Sequence, residues 1–244
     1  MSKLLKKLRF NLFMKGKKGS YYKYAFGEII LLVLGILIAL SINNWNEERK
    51  NNLIEKKLIL NIIKDLRLDS IYISQSLIEV DAQKQVIDDI ISMSLNKKNI
   101  EDYSSIGLLR YSSDFRPITQ RNHSVSISNM NNDDVREKIQ NYFIEEDRVL
   151  DIFLEYVDIV HNKVRPYLSE TGMHNLESIY EDKSSANLKK DVLIAQLSNV
   201  KFQQILYERR LKTDSFERFL KQILTVSGQV FEISPNLVSK DLAL

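Results

Sequence analysis

The 244-residue chain contains no cysteine. This excludes disulfide frameworks, thiolate metal sites and cysteine nucleophiles together. Three prolines and seven glycines make up about 4% of the residues, where roughly 12% is usual. Sandwiches, propellers and doubly wound sheets need many more tight turns, so long uninterrupted helices remain. Three histidines supply few metal ligands and few bases poised near neutral pH. No GxSxG, Walker-type loop, GxGxxG or HExxH is present. Nor is there the repeated Glu-x-x-His that a ferritin-like carboxylate bundle requires. The composition therefore points away from an enzyme and implies no metal, no cofactor and no small-molecule substrate.

Charge is scarce as a net quantity, at +3, but unevenly placed. Residues 1–28 carry Lys3, Lys6, Lys7, Arg9, Lys15, Lys17, Lys18 and Lys23 against one acid, Glu28, for a net +7. The remainder sums to −4. A nucleic-acid binder needs its basic stripe on the folded domain, so that partner is not expected.

One long apolar run is present. Ile29 to Ile42 are fourteen residues without a charge. Tyr21, Tyr22, Tyr24 and Phe26 precede the run and Trp45 follows it, the residue types of interfacial aromatic belts. From Tyr24 to Trp45 an α-helix rises about 33 Å, enough to cross a bilayer. The competing readings are a buried core helix, or a signal peptide cleaved near Ala39-Leu40-Ser41. The basic–apolar–polar order opposes the first, and the 28-residue leader containing Glu28 opposes the second. Eight Lys and Arg precede the span, whereas the fifteen residues after Trp45 hold four. That bias places the N-terminus in the cytoplasm and the large domain outside. Within the leader, Leu4, Leu5, Leu8, Leu12 and Phe13 recur at roughly helical spacing between lysines. They describe a short amphipathic helix on anionic lipid or, equally, a solvated basic tail. Glu28 is the one ionisable group near the run. An intramembrane carboxylate is a functional candidate, and the plainer reading sets it among headgroups beside Lys23. Gly35 and Ala39 form a small-xxx-small pair suited to helix–helix contact. Ile29, Leu32, Gly35, Ala39 and Trp45 mark the expected span.

The stretch from Tyr24 to Glu47, YAFGEIILLVLGILIALSINNWNE, closely resembles the signature of an uncharacterised family of single-pass membrane proteins found mainly in Bacteroidota. The likeness is strong over about residues 5–50 and looser from Phe115 to Phe143. The family is a domain of unknown function, so the resemblance supplies no catalytic or ligand residues. It implies a Gram-negative inner membrane and a periplasmic domain.

Beyond the span, residues 46–95 contain no glycine or proline. Positions 59, 63, 66, 70, 73, 77, 80, 84, 87 and 91 alternate steps of four and three, and only Ser70 and Lys84 among them are not apolar. This is a heptad seam. A single helix over residues 24–95 would be about 108 Å long and must bury that seam. Asp134 and Glu137 stand at capping-box spacing. After them Ile139, Phe143, Leu150, Phe153, Val157, Val160 and Val164 follow helical steps, with Pro166 expected to end or kink the helix. A third helix is expected over Asn187–Leu224, carrying Leu193, Leu197, Val200, Tyr207, Leu211, Phe219, Leu220 and Ile223. The connector from Asn96 to Met130 reads as loop with one short helix, Ile106–Tyr111. The expected fold is all-α. A basic leader (1–23) and a transmembrane helix (24–45) continue into an elongated antiparallel helical bundle or coiled coil (46–244), packed up and down.

His161 and Arg165 stand four apart and suit an anion, although a solvent-edge histidine is commoner. His123 and His174 have no ligand-like spacing. Glu145-Glu146-Asp147, Asp88-Asp89 and the Arg209-Arg210, Lys212 patch read as solvated faces. Two functions fit: a tethered interaction module whose partners are the lipid bilayer and another envelope protein or a second copy, or a periplasmic ligand-binding sensory bundle.

Overall fold

The computed structural model describes Phe10, residues 18–97, Asn99, residues 105–180 and residues 188–233. The expected amphipathic leader falls almost wholly outside them. The described residues are helical and contain no strand, only an isolated bridge between His174 and Leu188. Contacts divide the chain into two compact units, Met1–Lys57 and Leu58–Leu244.

Helix α1 is Lys18–Ser94, free of glycine and proline from residue 36 onward. In the first unit every residue from Ile29 to Lys50 is exposed. In the second unit α1 packs with α3 (Asp133–Ile159) and α6 (Val200–Phe231). Between α1 and α3 lie a 3₁₀ turn (Ile106–Arg110), the short helix α2 (Thr119–His123) and a second 3₁₀ turn (Ser126–Asn129).

Cross-helix bonds set the directions. Ser70 meets Ser227, Lys84 meets Glu217 and Arg210 meets Asp88. Gln222 donates to Glu145 and Lys212 to Glu155. As numbers rise along α1 or α3 they fall along α6, so α6 is antiparallel to both. The Tyr156 hydroxyl donates to Gln83 while Val164 and Leu168 share an apolar cluster with Ile87 and Ile90, so α1 and α3 run the same way. The return leg between them is the connector. Ser113 lies against Gln83, Asp114 against Ser76, Thr119 against Asp69 and Asn122 against Asp65. The segment expected as loop is thus a strap docked along α1 from Gln83 to Asp65, completing the up-and-down order with little helix of its own.

Helix ends follow local chemistry. Asn132, not Asp134, caps α3 by accepting from Val135 N at 3.2 Å. Its short amide satisfies an orphan donor one turn in. Pro166 does not end the helix. A π turn at Val160–Val164 absorbs the missing N–H and ring clash, and the chain stays helical through α4 (Arg165–Glu170). Gly172 at φ +69° then closes it, with Met173 N donating to Leu168 O and Gly172 N to Ser169 O. That is a Schellman arrangement, and its left-handed residue favours glycine. The expected third helix is two, α5 (Lys190–Gln196) and α6, because Asn199 accepts from Lys201 N and Phe202 N and starts a new helix.

Two apolar clusters form the core. In the larger, Phe115 of the strap enters an aromatic group with Phe153, Tyr156 and Phe216. The ring centroids lie 6.1 Å apart for Phe115–Phe153 and 4.7 Å for Tyr156–Phe216. In the smaller, Tyr167 stacks on Phe202 at 5.3 Å. The buried line of α6 passes through Phe202, Leu206, Arg209, Thr213, Phe216, Leu220 and Ile223. Leu150 of α3, and Val200, Tyr207 and Leu211 of α6, expected in the seam, are exposed instead. A seam sought only through apolar residues skipped Arg209 and Thr213 and slipped off the buried face.

Candidate functional site

Two features stand out from the packing, the bare apolar stretch of α1 and a polar spine along its later part.

The apolar stretch passes the length and composition test for a membrane crossing, with a window of mean hydropathy 2.6 that is not buried at all. Ile29 and Leu32 are about 60% exposed and Trp45 is 65% exposed. Such a surface in water costs roughly 25 cal/mol per Å² relative to an apolar surrounding, and it extends around the whole helix rather than along one stripe. An added Cβ at Gly35 meets nothing within 4 Å, so the Gly35/Ala39 face is open. Glu28 sits half-buried immediately before the run.

The polar spine arises from a second line of the seam. Besides 59, 66, 73, 80 and 87, the positions 62, 69, 76, 83 and 90 are buried. Three of them are polar, Asp69, Ser76 and Gln83, spaced by seven and so on one face. Each binds the strap. Asp69 accepts from Ile118 N and Thr119 N, each at 2.9 Å, and from Thr119 Oγ1 at 2.5 Å. Ser76 donates to Asp114 O at 2.8 Å. Gln83 donates to Ser113 Oγ at 3.3 Å, and Tyr156 OH accepts from Ser113 N at 2.9 Å. The backbone of a non-helical segment thereby finds partners without water.

Beside Asp69 lies Glu146, 4% exposed. Burial, and then the charge of Asp69, push its carboxyl up to about 8, against a weak 3.4 Å bond from Gln120 N. The Tyr142 hydroxyl next to the pair has no hydrogen-bond partner, and burial raises it far above the usual phenol range. At the strap's end Asn122 donates to Asp65 at 2.9 Å and His123 Nε2 lies 3.0 Å from the same carboxylate. The Asn122 bond holds Asp65 below the ordinary carboxylate range, against the effect of burial and with help from His123.

Arg209 is the largest fully buried side chain, at 0% exposure. Its Nη2 donates to Gln83 Oε1 at 2.9 Å and to Tyr111 O at 2.7 Å, and its guanidinium lies 4.8 Å from the Tyr156 ring centre. Nε and Nη1 have no partner. These atoms carry three of the five guanidinium N–H bonds. A buried donor without an acceptor costs about 1–3 kcal/mol, and a buried charge without a counter-ion more. Burial lowers the pKa of Arg209, and the charge of Arg165 adds to this while Tyr156 opposes it. Arg165 donates from Nε to Arg110 O at 2.9 Å, so the two arginines hold consecutive carbonyls, 110 and 111.

Several sequence expectations change here. Arg209 and the Glu145-Glu146 pair are buried, not solvated; of the basic patch only Arg210 and Lys212 are partly exposed, paired with Asp88 and Glu155. His161 is exposed, and the π turn between it and Arg165 breaks the i, i+4 stacking. His123 does meet a carboxylate, one distant in sequence. Among the described residues no group of three or more His, Asp or Glu side chains is placed to hold a metal ion.

Residues 28–112 match a family of unknown function, DUF6090. The matched segment takes in the apolar stretch, the spine residues Asp69, Ser76 and Gln83, and the strap's first 3₁₀ turn. It leaves out the leader, α3 and α6. No curated protein and no solved structure matches the chain.

Proposed function

We propose that this chain is a membrane-anchored, non-catalytic helical module. It crosses the inner membrane of a Gram-negative bacterium once, at residues 24–45, with the N-terminus in the cytoplasm. It carries its bundle in the periplasm, where it engages another envelope protein or a second copy. The carrying observation is the apolar stretch of α1, bare on all sides, in the same helix whose later residues bury a regular seam. Supporting it are the eight Lys and Arg ahead of the span against four just after it. The open Gly35/Ala39 face suits close approach of a second span. The test is protease treatment of spheroplasts bearing the chain with a C-terminal tag, followed by crosslinking in intact membranes and mass spectrometry. The tag is expected to be degraded and the crosslinks to report an envelope protein or the chain itself. A protected tag, or a mature N-terminus near residue 42, overturns the reading.

A further inference from the structure

Arg209 is not the one buried group here without a hydrogen-bond partner. Arg110 Nε and His174 Nδ1 are also buried without a hydrogen-bond partner. The charge of Arg165 bears on Arg209 and that of Arg110 on His174, and Arg165 is bonded to the carbonyl of Arg110. The four side chains come from the strap's 3₁₀ turn, the start of α4, the loop after Gly172 and α6, where the two apolar clusters meet. No ion pair to Arg110, Arg165 or Arg209 is found among the described residues. Elsewhere on α6, Arg210 pairs with Asp88 and Asp214, Lys212 with Glu155, and Lys221 with Glu217. Arg209 in the interior and the half-buried Arg110 and Arg165 are thus left without an acid.

We propose that the Arg110–Arg165–Arg209 cluster is a binding site for a small oxyanion, a phosphate or a carboxylate, which accepts from the vacant N–H bonds and supplies the missing charge. Arg209 is the inner anchor, held in orientation by Gln83, Tyr111 O and the Tyr156 ring. Arg110 and Arg165, both half-buried, form the rim through which the ion enters. Guanidinium groups suit the task because they stay charged when desolvated and offer several directed donors to planar or tetrahedral oxygens. This site is independent of the membrane reading and does not depend on a protein partner.

The test is thermal unfolding of the detergent-solubilised full chain in sodium phosphate, sodium succinate and sodium chloride at matched ionic strength. Phosphate or succinate is expected to raise the midpoint with a saturating concentration dependence, since a ligand bound to the folded state alone stabilises it by mass action. The salt that saturates at lower concentration identifies the oxyanion class. Arg165→Gln is expected to raise the half-saturating concentration at least tenfold, and Arg110→Gln serves the same purpose if the first variant does not fold. Lys212→Gln, on the outer face of α6, is expected to leave it unchanged. The proposal fails if neither oxyanion acts beyond chloride, or if the rim variants and Lys212→Gln respond alike.

Discussion

The two parts of α1 are built from similar residues and behave as opposites. From Ile29 to Ile42 apolar side chains cover the full circumference and all are exposed. From Ile59 to Ile90 most of the buried side chains fall on two adjacent lines, one apolar throughout and one that sets Asp69, Ser76 and Gln83 between Ile62 and Ile90. The difference lies in arrangement. A helix apolar on every side has no polar face to offer water and requires an apolar solvent, whereas a striped helix needs only a partner for its stripe.

One substitution at two sites puts this contrast under the greatest strain. Leu66→Lys places an unpaired charge at a position 1% exposed, and the expected loss is at least 3–5 kcal/mol. Circular dichroism of the detergent-solubilised chain should show the bundle unfolded while the protein still resists carbonate extraction from membranes. Leu34→Lys should do the reverse. A lysine at the centre of a span costs about 3 kcal/mol of insertion, so extraction should release the protein while the bundle's melting is unaltered. If both variants fail in both assays, the two parts are not separate in the way described.

A milder probe is Glu146→Gln. The folded carboxyl titrates at about 8 against an ordinary 4.5. Between those values the unfolded chain ionises while the folded one keeps its proton, so stability falls as pH rises through this window. The loss is complete above about pH 8. The glutamine variant should therefore gain about 2–4 kcal/mol over the parent at pH 9 and differ little at pH 4, as read from denaturant midpoints. At the small end, Leu68→Ala on the outer face of α1, 39% exposed, should change stability by less than about 0.5 kcal/mol.

The readable parts of this chain were those where one physical requirement acts over a long window. The uncharged run concerns only α1's first part, and it is helical and exposed as its composition requires. The line through Ile59, Leu66, Ile73, Val80 and Ile87 concerns only periodicity, and all five are buried. The spine was hidden because Asp69, Ser76 and Gln83 look like surface residues until the strap that binds them is in place. Their partners lie 30 to 50 positions away. A signal existed in their spacing of seven, one residue short of each half-buried position 70, 77 and 84. Arg209 was missed for the same reason: a charge on the buried line of α6 makes sense only against Gln83 and the carbonyl of Tyr111. His123 likewise needed Asp65, placed by the fold rather than by spacing.

The strap's attachment has a consequence for how the chain tolerates changes in length. Its anchor points on α1 repeat about every 10.5 Å, seven residues at the α-helical rise, while the bound stretch from Ser113 to Thr119 spans them in a mostly extended form. Adding or removing a residue between those two points shifts Thr119 off Asp69 or Ser113 off Gln83, and no slack exists to restore both.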